Sequence, residues 1–256
     1  MTRNTGGAVV VLAGATAVAG AWRLARLVQS MRAAETLVET AVPFERAGAT
    51  PHGPAVLVVG DSTGVGTGAA RPDESIAGRL AARFPNVTIV NRSANGARTL
   101  DVIMQLAAAG PGRYDLVLVH VGGNDVLRRT PVRALAPQVD ALMAMARRLS
   151  PNVIVTTIPN LGLVPMFFRP LSWWVSRRSR QVCELYAKAA RDRGVHYADF
   201  FHERGACPFA SDPARYFASD GLHPSGALYG YVFDALMATL PIAAMLKRPR
   251  LRPAPG

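Results

Sequence analysis

The sequence predicts an α/β fold, a three-layer α/β/α sandwich around a five-stranded parallel sheet, preceded by an N-terminal hydrophobic helix. Three observations predict it. Five short apolar runs recur along the body of the chain, without the polar–apolar alternation of a half-exposed strand. A longer segment of helical spacing separates each run from the next, as parallel strands joined by crossover helices require. Half of the 256 residues are hydrophobic, enough to cover a sheet on both faces.

In chain order, Ala55–Val59 is the first strand, Glu74–Phe84 a helix, and Val87–Val90 the second strand. Leu100–Ala109 reads as a helix, Leu116–Val119 as the third strand, and Val132–Leu149 as a helix. Val153–Thr156 is the fourth strand, Ser172–Arg193 a helix, Val195–Ala198 a short fifth strand, and Ser225–Leu240 the closing helix. This makes residues 55–242 one catalytic-size domain. Residues 43–54, with Pro43, Gly48, Pro51, Gly53 and Pro54, read as a linker. Residues 243–256 form a basic, Pro-rich tail.

Residues 1–42 stand apart. Asn4 to Trp22 carries no charge, Arg3 precedes it, and Arg23, Arg26 and Arg32 follow. Three readings stay open: a membrane anchor or peripheral attachment, a cleaved export signal ending near Ala17-Val18-Ala19, or a docked surface helix. Leu24, Leu27, Val28 and Met31 continue it as an amphipathic helix.

The formal charge is +12, almost all of it Arg, since Lys occurs only at 188 and 247. Scattered Arg with no zinc-ligand spacing and no aromatic-interleaved basic motif excludes a nucleic-acid partner. It leaves an anionic lipid surface, an acidic substrate, or a compositional habit. Cys183 and Cys207 are expected as buried free thiols, a single disulfide being the alternative.

Ligands of open parallel sheets sit beyond the carboxyl ends of the strands, and the informative motifs fall there. Gly60-Asp61-Ser62-Thr63-Gly64 follows the first strand, with Gly60 letting the chain turn sharply. Gly96 lies in the loop after the second strand, where a glycine exposes a backbone N–H. Gly122-Gly123-Asn124-Asp125 follows the third, and Asn124 offers an amide donor. Asp220-Gly221-Leu222-His223-Pro224 precedes the last helix, with Asp220 placed to brace His223 and Pro224 suited to that helix's first turn. Taken singly, each has a bland reading: a capping Ser, a turn glycine, a capping Asn, a loop His.

Together, in this order, the four blocks resemble the SGNH hydrolase superfamily, the GDSL esterase/lipase family. The resemblance covers about Val56 to Leu240, with Thr63 standing where many members carry Leu. It implies a flavodoxin-like sheet and a serine esterase whose catalytic residues are Ser62, Asp220 and His223. It implies an oxyanion hole from the Ser62 and Gly96 N–H groups and the Asn124 side chain. It implies no metal and no organic cofactor. Asp61 and Asp125 are expected to shape loops, and His120 to be a core residue. Gly64-Val65-Gly66-Thr67-Gly68 is expected to be an open, mobile loop.

Two other readings compete. An acyltransferase on the same scaffold would share the acyl-enzyme. A nucleotide-binding module fits poorly, because the glycines do not spell G-x-G-x-x-G and no P-loop Lys follows. The substrate is expected to be a small-molecule or lipid ester. Met166-Phe167-Phe168, Leu171, Trp173 and Trp174, flanked by Arg169, Arg177, Arg178 and Arg180, suggest either a lipid-facing lid or a helix packed on the sheet.

Overall fold

A computed structural model describes residues 5–50, 53–110 and 114–247, with side chains from Gly20 onward. His52 and most of the basic tail lie outside the described residues. Five strands, β1 (Ala55–Gly60), β2 (Thr88–Asn91), β3 (Leu116–His120), β4 (Val153–Thr156) and β5 (His196–Ala198), form one sheet in the order β2-β1-β3-β4-β5. Every pairing is parallel. Each expected strand is present, with its ends moved by a residue or so.

The strands are apolar on both sides because both sides are covered. Leu57, Val59, Val117, Val119, Val153 and Val155 point into one core, against α4 (Thr99–Ala108), α6 (Val132–Leu149) and α7 (Leu171–Arg193). Val56, Val58, Leu116, Leu118 and Ile154 point into the other, against α3 (Ile76–Arg83), α9 (Gly226–Thr239) and α10 (Ile242–Met245). Burying each such side chain contributes roughly 1.5–3 kcal/mol. The order reverses between β1 and β3, so a crevice opens there at the carboxyl edge.

Several local details depart from expectation. The helix read from Glu74 begins two residues later. Ser75 caps it, its hydroxyl accepting from the Gly78 N–H at 3.1 Å. Pro72–Glu74 is a separate 3-10 turn. Pro224 lies just outside α9, whose cap is Ser225. The expected N-terminal helix is present as one continuous element, α1 (Thr5–Thr40). No helix among the described residues is long and apolar enough to cross a membrane.

The stretch read as a linker is held against the domain. Arg46 exchanges backbone hydrogen bonds with Ile89 at 3.1 and 2.8 Å, adding an antiparallel bridge outside β2. Its guanidinium caps the end of α3 through the Ala81 and Phe84 carbonyls, at 2.6 and 3.1 Å. Cys183 and Cys207 are free, the first buried and the second half-buried. Burial pushes the Cys183 thiol up to about 11, so it is a neutral core group.

Candidate active site

The nucleophile segment leaves β1 through Gly60. A side chain there would collide with the His120 carbonyl, so only glycine lets β1 and β3 approach this closely. The amide of Gln105, on α4, bonds both backbone groups of Gly60, accepting from its N–H at 2.7 Å and donating to its carbonyl at 3.0 Å. Nothing local in the sequence marks Gln105. It is a polar residue beside the buried Val102 and Leu106, and that contrast was the available signal.

Asp61 then caps a four-residue helix, α2 (Ser62–Val65), its carboxylate accepting from the Thr63 N–H at 2.9 Å. Ser62 is the first residue of that helix and half-buried. Its carbonyl accepts from the N–H groups of Gly66 and Thr67, both at 3.0 Å. Its own N–H is one of the orphan donors of a helix start.

The Gly64–Gly68 stretch is not an open loop. Gly64, Val65, Gly66 and Thr67 are buried. The Thr67 hydroxyl donates to Asn95 Oδ1 at 2.6 Å, and the Thr67 carbonyl accepts from the Tyr229 hydroxyl at 2.9 Å. The glycines are there for close approach. A Cβ at Gly64 would meet the Ser93 hydroxyl, and one at Gly68 would stand 3.0 Å from the His223 Cβ. This glycine run wedges α2 between the second loop and the histidine loop.

The second loop is tied to the first by the Ala94 N–H, which donates to the Gly60 carbonyl at 3.0 Å. Gly96 adopts φ of +78°, where glycine is favoured. Among the described residues the N–H groups of Ser62 and Gly96 have no hydrogen-bond partner. Asn124 lies in the short helix α5 (Gly123–Leu127), not at its cap. Its amide donates one hydrogen to the Ala97 carbonyl at 3.1 Å, which orients the group and leaves the other hydrogen available. Asp125 behind it is buried, accepting from the Thr99 N–H and hydroxyl at 2.9 and 2.7 Å and from the Thr130 hydroxyl at 2.8 Å.

The fourth segment brings Asp220 and His223 together. Asp220 is fully buried and His223 nearly so. Asp220 Oδ2 lies 2.5 Å from His223 Nδ1, while Oδ1 accepts from the Leu222 and His223 N–H groups at 2.9 and 3.0 Å. Burial alone would raise the Asp220 carboxyl. The bond to the imidazole and the two backbone donors outweigh it and hold the group below its ordinary value. A carboxylate so held fixes the ring through Nδ1 and leaves Nε2 on the side away from Asp220.

Asp61 differs from Asp220. Burial pushes its carboxyl up to about 6, against the opposing pull of the Thr63 N–H and of His223. His120 is buried, and burial pushes it down to about 3, so it is neutral. Its Nδ1 lies 2.5 Å from the Thr156 hydroxyl, which supports the reading of His120 as a core residue. Beside it lies a cavity of about 50 Å³, lined among others by Thr63, Thr156, Phe200, Phe209 and Pro224. Its wall therefore includes the immediate neighbours of Ser62 and of His223.

A sheet of this order, with a GDS turn, a loop glycine, an amide-bearing helix and an Asp–His loop gathered at one edge, defines an SGNH-type α/β hydrolase fold. The chain belongs to the GDSL-like lipase/acylhydrolase family, whose model matches residues 58–231. It is 27% identical over 197 residues to a GDSL-like esterase of Mycobacterium tuberculosis, covering 72% of this chain and 61% of that protein. It is 26% identical over 143 residues to an arylesterase of Vibrio mimicus, covering 54% and 62%. The matches thus span about three fifths of the length of these curated relatives. Among solved structures, TesA superposes with a TM-score of 0.57 at 22% identity, over 73% of this chain and 98% of TesA.

Proposed function

We propose that the chain is a serine esterase that hydrolyses carboxylic esters through an acyl-enzyme on Ser62. The Asp220–His223 contact carries the reading, because a buried carboxylate bonded to the Nδ1 of an imidazole beside a serine-bearing turn has one common chemical use. A free serine hydroxyl is a weak nucleophile. His223 takes the Ser62 proton as the oxygen attacks, then gives it to the leaving alcohol. Asp220 selects the imidazole tautomer and stabilises the imidazolium. The Ser62 N–H, the Gly96 N–H and the spare amide hydrogen of Asn124 receive the oxyanion, each such donor being worth about 100- to 1000-fold in rate. Water, activated by His223, then releases the acid.

The cavity beside Thr63 has room for a few waters, which favours a short acyl group of about two to four carbons. The lipid-ester reading rests on other observations. Trp22, Leu24 and Met31 of α1 are exposed, as are Phe168, Leu171 and Trp173. Arg23 lies over the Phe168 ring, 5.7 Å from its centroid, which joins the two sets. Such a face attaches peripherally to a membrane. The esterase and arylesterase in the relatives' names and the lipase/acylhydrolase in the family's support ester hydrolysis.

The deciding experiment compares wild type with Ser62→Ala on p-nitrophenyl esters from acetate to palmitate. The expected result is wild-type turnover that falls at least 1000-fold in the variant, with the maximum at short chains. Equal turnover in both proteins overturns the assignment of Ser62. A maximum at palmitate in the presence of lipid vesicles replaces the short-acyl reading with the lipid one.

A further inference from the structure

Some of the surface arginines are paired with carboxylates. Arg71, Arg92, Arg98, Arg180 and Arg193 each lie against a carboxylate, of Asp73, Glu45, Asp101, Glu203 and Asp140 in turn. Around the end of α5 the pattern changes. A groove of about 560 Å³ is walled by Arg129, Trp173, Trp174, Arg177 and Arg178, with no Asp or Glu in its lining. None of these arginines, nor Arg128, makes an ion pair among the described residues. Other exposed arginines, Arg83, Arg133 and Arg191 among them, also make no ion pair among the described residues; this group differs in lining one groove together with two indoles.

The backbone adds a second observation. Arg129, with φ of +61°, is the one non-glycine residue in the left-handed region among the described residues. A side chain makes that conformation unfavourable, and glycine is the usual occupant of such a helix end. Here the conformation sets the Arg129 guanidinium over Trp174, 5.3 Å from the ring centroid. The preceding residue reaches the other way. Arg128 Nη2 stands 3.3 Å from where a Cβ on Gly96 would sit. Consecutive arginines thus connect the groove to Gly96, the glycine proposed above as an oxyanion donor. Asn124 to Arg128 is one turn of α5 and its cap, rising about 6 Å, and Arg129 follows directly. A group held in the groove therefore lies within a small substrate's length of an ester held at Asn124.

A guanidinium matches the paired oxygens of phosphate and carboxylate, while indole faces cover the apolar atoms between anion and ester. We propose that Arg128 and the groove of Arg129, Trp174, Arg177 and Arg178 form a subsite for an anionic group, phosphate or carboxylate, carried by the ester substrate. The proposal rests on the esterase reading above for its link to Ser62.

Two of the chain's three Trp residues line the groove, so Trp22→Phe leaves indole fluorescence as a local probe. In that background, glycerol 3-phosphate, succinate and glycerol are each titrated. The expected result is a saturable change with one or both anions and none with glycerol. It weakens at least tenfold in Arg129→Gly/Arg177→Ala, where glycine relieves the backbone at 129. The anion that responds tells phosphate from carboxylate. Hydrolysis of monobutyryl glycerol 3-phosphate and of monobutyryl glycerol is then compared. The ratio of their kcat/KM values should exceed ten in wild type and fall at least tenfold in Arg128→Ala. No saturable response to either anion, or a response unchanged in the double variant, overturns the subsite. Failure of wild type to hydrolyse either ester would instead strike the esterase reading, and the fluorescence titration would decide the subsite by itself.

Discussion

Asp61→Asn should make the protein more stable at neutral pH, by an amount that grows with pH. Asp61 is 3% exposed, and burial pushes its carboxyl from 3.8 up to about 6. Between those values the folded chain holds a proton that the unfolded chain has released. Stability therefore falls as pH rises through this window and stays low above it. A shift of about two units corresponds to about 3 kcal/mol at 1.36 kcal/mol per unit. Asn keeps the shape and can accept from the Thr63 N–H as Asp61 does, since the two residues cap helices equally well. It removes only the titration. Urea melts of both proteins at pH 4, 5, 6, 7 and 8 should give a stability difference near zero at pH 4, rising to about 3 kcal/mol at pH 8. For a chain of this size that is a gain of roughly 6–12 °C in Tm. A difference that is flat with pH, or that favours wild type increasingly toward pH 8, refutes the argument. It would mean the carboxylate is satisfied where it lies.

Asp220→Asn keeps an oxygen for the Leu222 and His223 N–H groups but no longer holds the imidazole tautomer. Its kcat should fall by about 1000- to 10,000-fold with little change in KM, and a loss under tenfold on p-nitrophenyl acetate would remove Asp220 from the mechanism. Gly68→Ala puts a Cβ against Pro224 and 3.0 Å from the His223 Cβ at φ of +95°. It should cost about 100-fold in kcat by displacing the histidine. Gly110→Ala, at φ of +76° with open space around it, should lower Tm and leave kcat unchanged, and equal kcat losses in both variants would refute the positioning argument.

The parts of this molecule legible in the sequence are those whose reasons are local. Strands buried on both faces must be apolar throughout, so β1, β3 and β4 announce themselves. Asp220 and His223 meet within one tight loop, so their three-residue spacing already implies contact. Ser62, Gly96 and Asn124 could be placed at one edge because parallel strands all end there. What was illegible depends on partners distant in sequence. The glycines at 64–68 look like freedom when read in isolation. In the fold they are the reverse, because Ser93, Ser75 and His223 occupy the space a Cβ would need. Arg46 looks like part of a linker until Ile89 is beside it. Arg128 is one of many arginines until Gly96 is its neighbour. A short motif thus marks the groups proposed to react, while the wedged loops holding them and the cations around them come from packing between segments. Loop glycines are informative in opposite senses according to their surroundings. Where space is open they relax the backbone, and where a Cβ would strike a neighbour at the candidate site they set that neighbour's position.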